Sequence, residues 1–223
     1  TDITLPELRA ATGQENSAGG VCVGKPISTV ELRISALDES GLAVGQLTAE
    51  AGITGEIVAS APHLKDHYDQ LWQTDRDSRR DSTSDQRWHR TGDVGHFDDE
   101  GRLWIEGRLP HVIVTAAGVV TPVGIEQQIE RLDEVHRAAI AGVGPPGTAQ
   151  IVAVVETSPA SRRAGLASWS LTNAVREQLS VDVTAVLVVP ELPTDIRHNS
   201  KIDRSGLAIW ASEILAGKRG KRL

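Results

Sequence analysis

Three side chains in this sequence stand where polar chemistry could be done. They are Asp93, closing Thr91-Gly92-Asp93; Arg108, closing Gly107-Arg108; and Lys201, in a polar stretch near the C-terminus. Between the first two, apolar residues 94–97 and 103–105 flank Asp98-Asp99-Glu100-Gly101, a composition that predicts a β-hairpin. Antiparallel pairing returns the chain to its start, so Asp93 and Arg108 can face one another and grip a polar ligand. Each residue also has a plainer reading. An Asp after Gly on a tight turn commonly caps its own backbone, a surface Arg commonly makes an ion pair of little worth, and a loop lysine by itself is usually just solvated.

Other patterns that could carry chemistry do so less well. His63 and His67 lie four apart, as two metal ligands on one helical face would, but Leu64 stands where a zinc protease needs Glu and no third ligand is evident. Gly142-Val143-Gly144-Pro145-Pro146-Gly147 fits G-x-G-x-x-G literally. A dinucleotide site needs a helix N-terminus directly afterwards, and here two prolines lead toward another strand, so a hairpin turn is the reading. Gly24-Lys25-Pro26 lacks the spacing of a phosphate loop.

The elements that must position the candidates are short strands first and mixed structure later. Residues 1–20 read as a polar loop, Val30, Leu32 and Ile34 alternate as in a half-buried strand, and residues 55–59 form a second strand. Residues 73–87, dominated by Asp, Arg, Ser, Thr and Gln, predict a solvated, mobile loop. Pro122 starts a helix through about Arg131, with Ile125, Ile129 and Leu132 on one face. Strands follow at 135–143 and 151–155. A helix over 166–179 carries Trp169, Leu171, Val175 and Leu179. A buried strand over 183–189 ends at Pro190, and a last helix over 202–215 places Leu207, Ile209, Trp210, Ile214 and Leu215 in the core. The fold class is therefore α+β: a β-rich part over residues 1–107, then a compact α+β domain over 108–223.

Composition sets outer bounds. The 39% hydrophobic content supports a globular core in a chain of 223 residues, and Cys22, the single cysteine, excludes an internal disulfide. No apolar run approaches the ~20 residues of a membrane span and no signal-peptide pattern opens the chain, so a cytoplasmic location is the expectation. A net charge of -7 argues against nucleic-acid partners. Lys218-Arg219-Gly220-Lys221-Arg222 reads as a solvated tail. Methionine is absent even at position 1, which leads us to expect a part of a longer protein.

Taken together, Trp88-His89-Arg90-Thr91-Gly92-Asp93, the apolar hairpin, Gly107-Arg108, and Pro122 followed by Glu126 resemble the nucleotide-ribose and hinge region of the adenylate-forming superfamily, which includes acyl-CoA synthetases, luciferases and peptide-synthetase adenylation domains. The strand Gly55-Glu56-Ile57-Val58-Ala59 has a similar counterpart there. Residues Pro193 to Ile202 resemble the superfamily's final motif, whose lysine acts on the substrate carboxylate. The resemblance implies ATP and Mg2+ as cofactors, a small-molecule carboxylic acid as substrate, Asp93 accepting the ribose hydroxyls, Arg108 approaching the nucleotide, and Lys201 stabilising the adenylation transition state. It also implies that residues 1–107 are a remnant of a large N-terminal domain. The missing part would hold the phosphate loop and most of the acyl pocket, so this chain alone is expected to be inactive. Residues 108–223 would be the mobile C-terminal domain.

Within the superfamily, Trp88-His89-Arg90, Gly101-Arg102-Leu103-Trp104, Thr115-Ala116-Ala117-Gly118 and Asp195 to Ile202 are similar to the olefin-pathway β-lactone synthetases. That likeness implies conversion of a 2-alkyl-3-hydroxy acid to a β-lactone, with other enzymes of the olefin pathway as possible partners. At the hinge position, many thioester-forming relatives have Asp or Lys and this chain has Pro110. Ala117 stands where they have the glycine that admits pantetheine. A fatty acyl-CoA synthetase is the rival within the class, and a non-catalytic interaction module the rival outside it.

Overall fold

Alternating side chains from Glu31 to Leu37 form a strand whose register with its neighbour explains both faces of the sheet it joins. Ile34 lies opposite Ile57 and Ser35 opposite Glu56, and because successive residues point to opposite faces, apolar and polar partners sort onto different sides. The computed structural model describes residues 1–7, 19–64, 72–194 and 202–218, and the chain divides into two units, Thr1–Pro110 and His111–Leu223.

The first unit is an antiparallel sheet of β1 (Val21–Gly24), β2 (Glu31–Leu37), β3 (Ala43–Thr48), β4 (Gly55–Ser60), β5 (His89–Phe97) and β6 (Leu103–Arg108), in the order β1-β6-β5-β4-β2-β3. Ile34, Ile57, Phe97 and Leu103 form its apolar core. The alternate residues Ser35, Glu56, His96, Trp104 and Glu106 are also buried, so the second face is polar yet shielded. The strands β1 and β3 escaped the sequence reading: β1 has only four residues, and β3 is an edge strand interrupted by Gly45.

The β5–β6 turn forms as the Asp98-Asp99-Glu100-Gly101 composition requires, with Gly101 at φ 75°. Asp98 organises it. Its carboxylate accepts the backbone N–H groups of Glu100 (3.0 Å) and Arg102 (2.8 Å), the Arg102 Nε (2.6 Å) and the Trp104 indole N–H (2.8 Å). Burial pushes the Asp98 pKa up, but the Trp104 and Arg102 donors outweigh it and hold the carboxyl below its ordinary value.

Residues 73–87 correct an expectation. Where composition predicted a mobile loop, the structure has a helix, α1 (Trp72–Ser78), followed by an ordered strap. The Ser82 hydroxyl donates to the Trp88 carbonyl (3.0 Å) and accepts its N–H (2.9 Å), Gln86 donates to Glu31 (2.8 Å), and Arg80 donates to the Ala43 carbonyl. Polar side chains here bond the sheet and the residue that leads into it.

In the second unit, the hairpin β7 (Ile113–Thr115) and β8 (Gly118–Val120) precedes α2 (Pro122–Ile129), β9 (Val135–Val143), β10 (Gln150–Thr157), β11 (Gly165–Leu166), α3 (Trp169–Gln178), β12 (Val183–Val189) and α4 (Arg204–Leu215). The sheet order is β11-β12-β10-β9, with β10 and β12 parallel. Parallel neighbours need a crossover, and α3 lies within it. Ala153 and Val155 pack with Ile125, Ile129, Leu171 and Val175, whereas Val152 and Val154 pack with Leu207, Trp210 and Ala211. Helices on both faces explain the near-continuous apolar run of β10.

Two helix-face expectations change. The third helix begins at Trp169, where Ser168 caps it by accepting the Leu171 N–H, and Leu166 instead belongs to β11. Leu171 and Val175, four apart, define the buried stripe, so Trp169 at the first turn is left 80% exposed. In α4, Leu207, Trp210 and Ala211 do the same and leave Ile209 65% exposed.

Glu126 of α2 joins three elements of this unit. Its carboxylate accepts the Ile140 N–H of β9 (2.7 Å) and both Arg204 Nη groups from the first turn of α4, with Nη2 at 2.8 Å. Removing one partner of a shielded pair strands the other, which typically costs about 3–5 kcal/mol. We therefore expect Glu126→Ala to destabilise the protein by about that amount in urea unfolding, and an unchanged midpoint would show that Arg204 finds another partner.

Candidate functional site

Asp93 lies directly opposite Arg108 in the β5–β6 ladder, as the hairpin argument anticipated, and Arg108 Nη1 stands 3.1 Å from Asp93 Oδ1. Both side chains are open to solvent, at 37% and 52% exposure respectively. An exposed pair of this kind is worth about 0–1 kcal/mol, so it is not a structural lock.

How Asp93 comes to be presented is legible in the register on its other side. Glu56 pairs with Val94 and Val58 with Arg90, which leaves Thr91-Gly92-Asp93 opposite Ile57 alone. The tripeptide is a bulge in a central strand, and Gly92 at φ 73° supplies the left-handed residue that it needs. A bulge releases N–H groups from the ladder, and buried ones must be satisfied. Side chains do this. The Gly92 N–H donates to Glu56 Oε1 (3.0 Å), the Asp93 N–H donates to the Thr91 hydroxyl (3.0 Å), and that hydroxyl donates to the Ile57 carbonyl (2.9 Å). Among the described residues, these two bulge N–H groups are capped by Glu56 and Thr91 and not by the Asp93 carboxylate.

The other Glu56 oxygen accepts Arg90 Nη1 at 2.5 Å, with both side chains 7% exposed. Arg90 also donates to the Ser35 hydroxyl (3.0 Å), the Ala43 carbonyl (3.1 Å) and, through Nε, Asp81 Oδ2 (2.7 Å). Burial opposes the guanidinium charge, but Asp81 and Glu56 more than offset it and raise the Arg90 pKa. On the Arg108 side, a second bulge leaves Glu106 as the extra residue of β6, since Val94 pairs with Gly107 and Gly95 with Ile105. Glu106 accepts the Thr54 hydroxyl (2.9 Å) and meets His96 Nδ1 at 2.6 Å, beneath a His96–Trp104 stack.

No protein-family model matches the chain. Over 219 residues, 94% of this chain and 39% of the relative, it is 36% identical to an olefin beta-lactone synthetase of Xanthomonas campestris pv. campestris. A second protein of that name, from Stenotrophomonas maltophilia, is 35% identical over 93% of this chain and 38% of its own length. The fold matches ATP-bound MatB from Rhodopseudomonas palustris with a TM-score of 0.70 at 21% identity, over 88% of this chain and 36% of that one. The chain belongs to the adenylate-forming superfamily. It spans about two fifths of the length of the curated relatives it matches.

The described residues bring Asp93 and Arg108 together. Pro110 is the exposed residue of the 3-10 turn Leu109–His111. Lys201 lies outside the described residues; beside it, Thr194 and Ile202 form an antiparallel bridge, and the Asp203 N–H donates to the Pro193 carbonyl (2.9 Å). Sequence reading missed Glu56, Arg90 and Asp81 as parts of this site. A signal was present: a carboxylate within the apolar strand Gly55-Glu56-Ile57-Val58 demands a buried partner. Because the Thr91 hydroxyl and Glu56 cap the bulge, we expect Asp93→Ala to shift unfolding free energy by less than about 1 kcal/mol, measured by denaturant titration. A larger loss would return Asp93 to a structural role.

Proposed function

We propose that the protein containing this chain is an ATP-dependent ligase that adenylates a carboxylic acid, and that the acid is a 2-alkyl-3-hydroxy acid closed to a β-lactone. The observation that carries this reading is the 36% identity to an olefin beta-lactone synthetase along 94% of the chain. The exposed Asp93–Arg108 pair supports it, since a carboxylate suits two ribose hydroxyls and a planar fork suits paired oxygens. In this reading Asp93 and Arg108 contribute those contacts, Pro110 is the hinge, and Lys201 acts on the reacting groups.

The first half-reaction joins a substrate carboxylate oxygen to the α-phosphorus of ATP and expels pyrophosphate. Two anions must meet, and negative charge gathers on the transferring phosphoryl oxygens; the Lys201 ammonium offsets it. In the second half, the 3-hydroxyl oxygen attacks the activated carbonyl, its proton passes to a base, and the bond to AMP breaks. The nucleophile is already tethered, which supplies effective molarity against ring strain. Pro110 and Ala117 depart from the thioester-forming pattern, in keeping with a reaction that needs no thiol. Among the described residues no group of three His, Cys, Asp or Glu side chains could hold a metal ion, so Mg2+ is assigned no ligand and no step.

The test is product analysis by mass spectrometry of the full-length protein given ATP and a 2-alkyl-3-hydroxy acid. We expect AMP and a β-lactone with no thiol present; a thioester formed only with coenzyme A, and no lactone without it, would overturn the substrate assignment. We further expect Lys201→Ala to slow adenylation by ~10²-fold or more, the usual loss for one transition-state donor. A single-turnover rate equal to the unsubstituted enzyme's would remove Lys201 from the chemistry.

A further inference from the structure

The buried Glu56 carboxylate is fully committed in an arrangement that the reaction itself does not call for. One oxygen takes the Gly92 N–H at 3.0 Å and the other takes Arg90 Nη1 at 2.5 Å. Arg90 in turn is gripped by Asp81, so the strap after α1 reaches the same guanidinium that neutralises the carboxylate holding the bulge. The Thr91 hydroxyl completes the frame by bonding the Ile57 carbonyl and the Asp93 N–H. The N–H groups of Gly92 and Asp93 are thus fixed by side chains, while the carboxylate of Asp93 itself is left part-exposed beside Arg108.

We propose that Glu56 and Thr91 are positioning residues for nucleotide binding: they touch no substrate and act by holding the bulge so that the Asp93 carboxylate is aimed before the ligand arrives. This rests on the reading of Asp93 as the ribose acceptor. A carboxylate is required at position 56 because both oxygens face donors. An amide there necessarily turns its own donor toward either Gly92 or Arg90, and loses the charge that Arg90 is paired with. A loosened bulge still permits chemistry once the nucleotide is bound, but the ligand must then order it, which weakens binding without changing the turnover of the bound state.

The experiment is ATP saturation of the full-length enzyme carrying Glu56→Gln, Thr91→Val, Asp93→Ala, and each of the first two combined with Asp93→Ala, with folded fraction measured in parallel by urea unfolding. We expect Glu56→Gln to raise the KM for ATP by about fivefold or more with kcat within about twofold. Thr91→Val should act in the same direction, and neither should raise KM further once Asp93 is alanine, because each acts through that carboxylate. A purely structural role would lower kcat in step with folded fraction and leave KM unmoved, overturning the proposal; so would effects that multiply in the double variants. If Glu56→Gln is recovered only unfolded, Thr91→Val decides alone, since its hydroxyl carries no charge to strand. Unchanged ATP saturation in Asp93→Ala would remove the ribose contact itself, and the positioning role with it. An unchanged KM in Glu56→Gln beside a raised one in Asp93→Ala would overturn only the positioning role.

Discussion

A bulge in the middle of a sheet is a liability, because it takes backbone donors out of the ladder where water cannot replace their partners. The N-terminal unit is built around resolving that liability at Thr91-Gly92-Asp93. Glu56, from the adjacent strand, answers one donor and is itself neutralised by Arg90; Arg90 is answered by Asp81, Ser35 and Ala43. Desolvating two charges costs several kcal/mol each, and a well-packed apolar pair could serve stability as well or better. What an apolar pair could not do is accept an N–H. The ion pair is therefore best understood as the condition for having a bulge at that place.

The C-terminal unit solves a different problem with the same chemistry. Its two apolar clusters lie on opposite faces of one sheet, and nothing in such packing fixes the start of the last helix along its axis, since hydrophobic contact is non-directional. The fork of Arg204 on Glu126, with the Glu126 carboxylate also on the β9 backbone, fixes it. Asp203 adds a cap by accepting the Gly206 N–H (3.0 Å). In both units directional bonds from one buried carboxylate supply what the apolar core cannot.

Much of this is legible in the sequence. The Asp98 turn, flanked by apolar runs, dictated a hairpin, and a hairpin of that length placed Asp93 against Arg108. Pro122 opened a helix, and the two prolines of the false dinucleotide pattern led into β10. What escaped was structure made by polar side chains at long sequence separation. Ser82 and Gln86 look like solvated loop residues until their partners, Trp88 and Glu31, are known. Apolar character alone would put Trp169 and Ile209 on the buried sides of their helices. The helical period, read strictly from Leu171 to Val175 and from Leu207 to Trp210 and Ala211, puts both outside.

The division between buried and exposed ion pairs also bears on how the site can work. Arg90 and Glu56 are almost wholly shielded, so separating them would leave a charge stranded and is not something a ligand could bring about. Asp93 and Arg108 are about a third and a half exposed, so water already competes for both and parting them costs little. In the proposed reading, a ligand with hydroxyls for the carboxylate and anionic oxygens for the guanidinium replaces that pair's weak mutual contact with two charge-assisted ones, each roughly twice as strong as a neutral hydrogen bond. The backbone that carries the pair need not move when this happens, because the deeper pair holds it. Rigidity one residue layer below and looseness at the surface are thus two consequences of the same difference in solvent access.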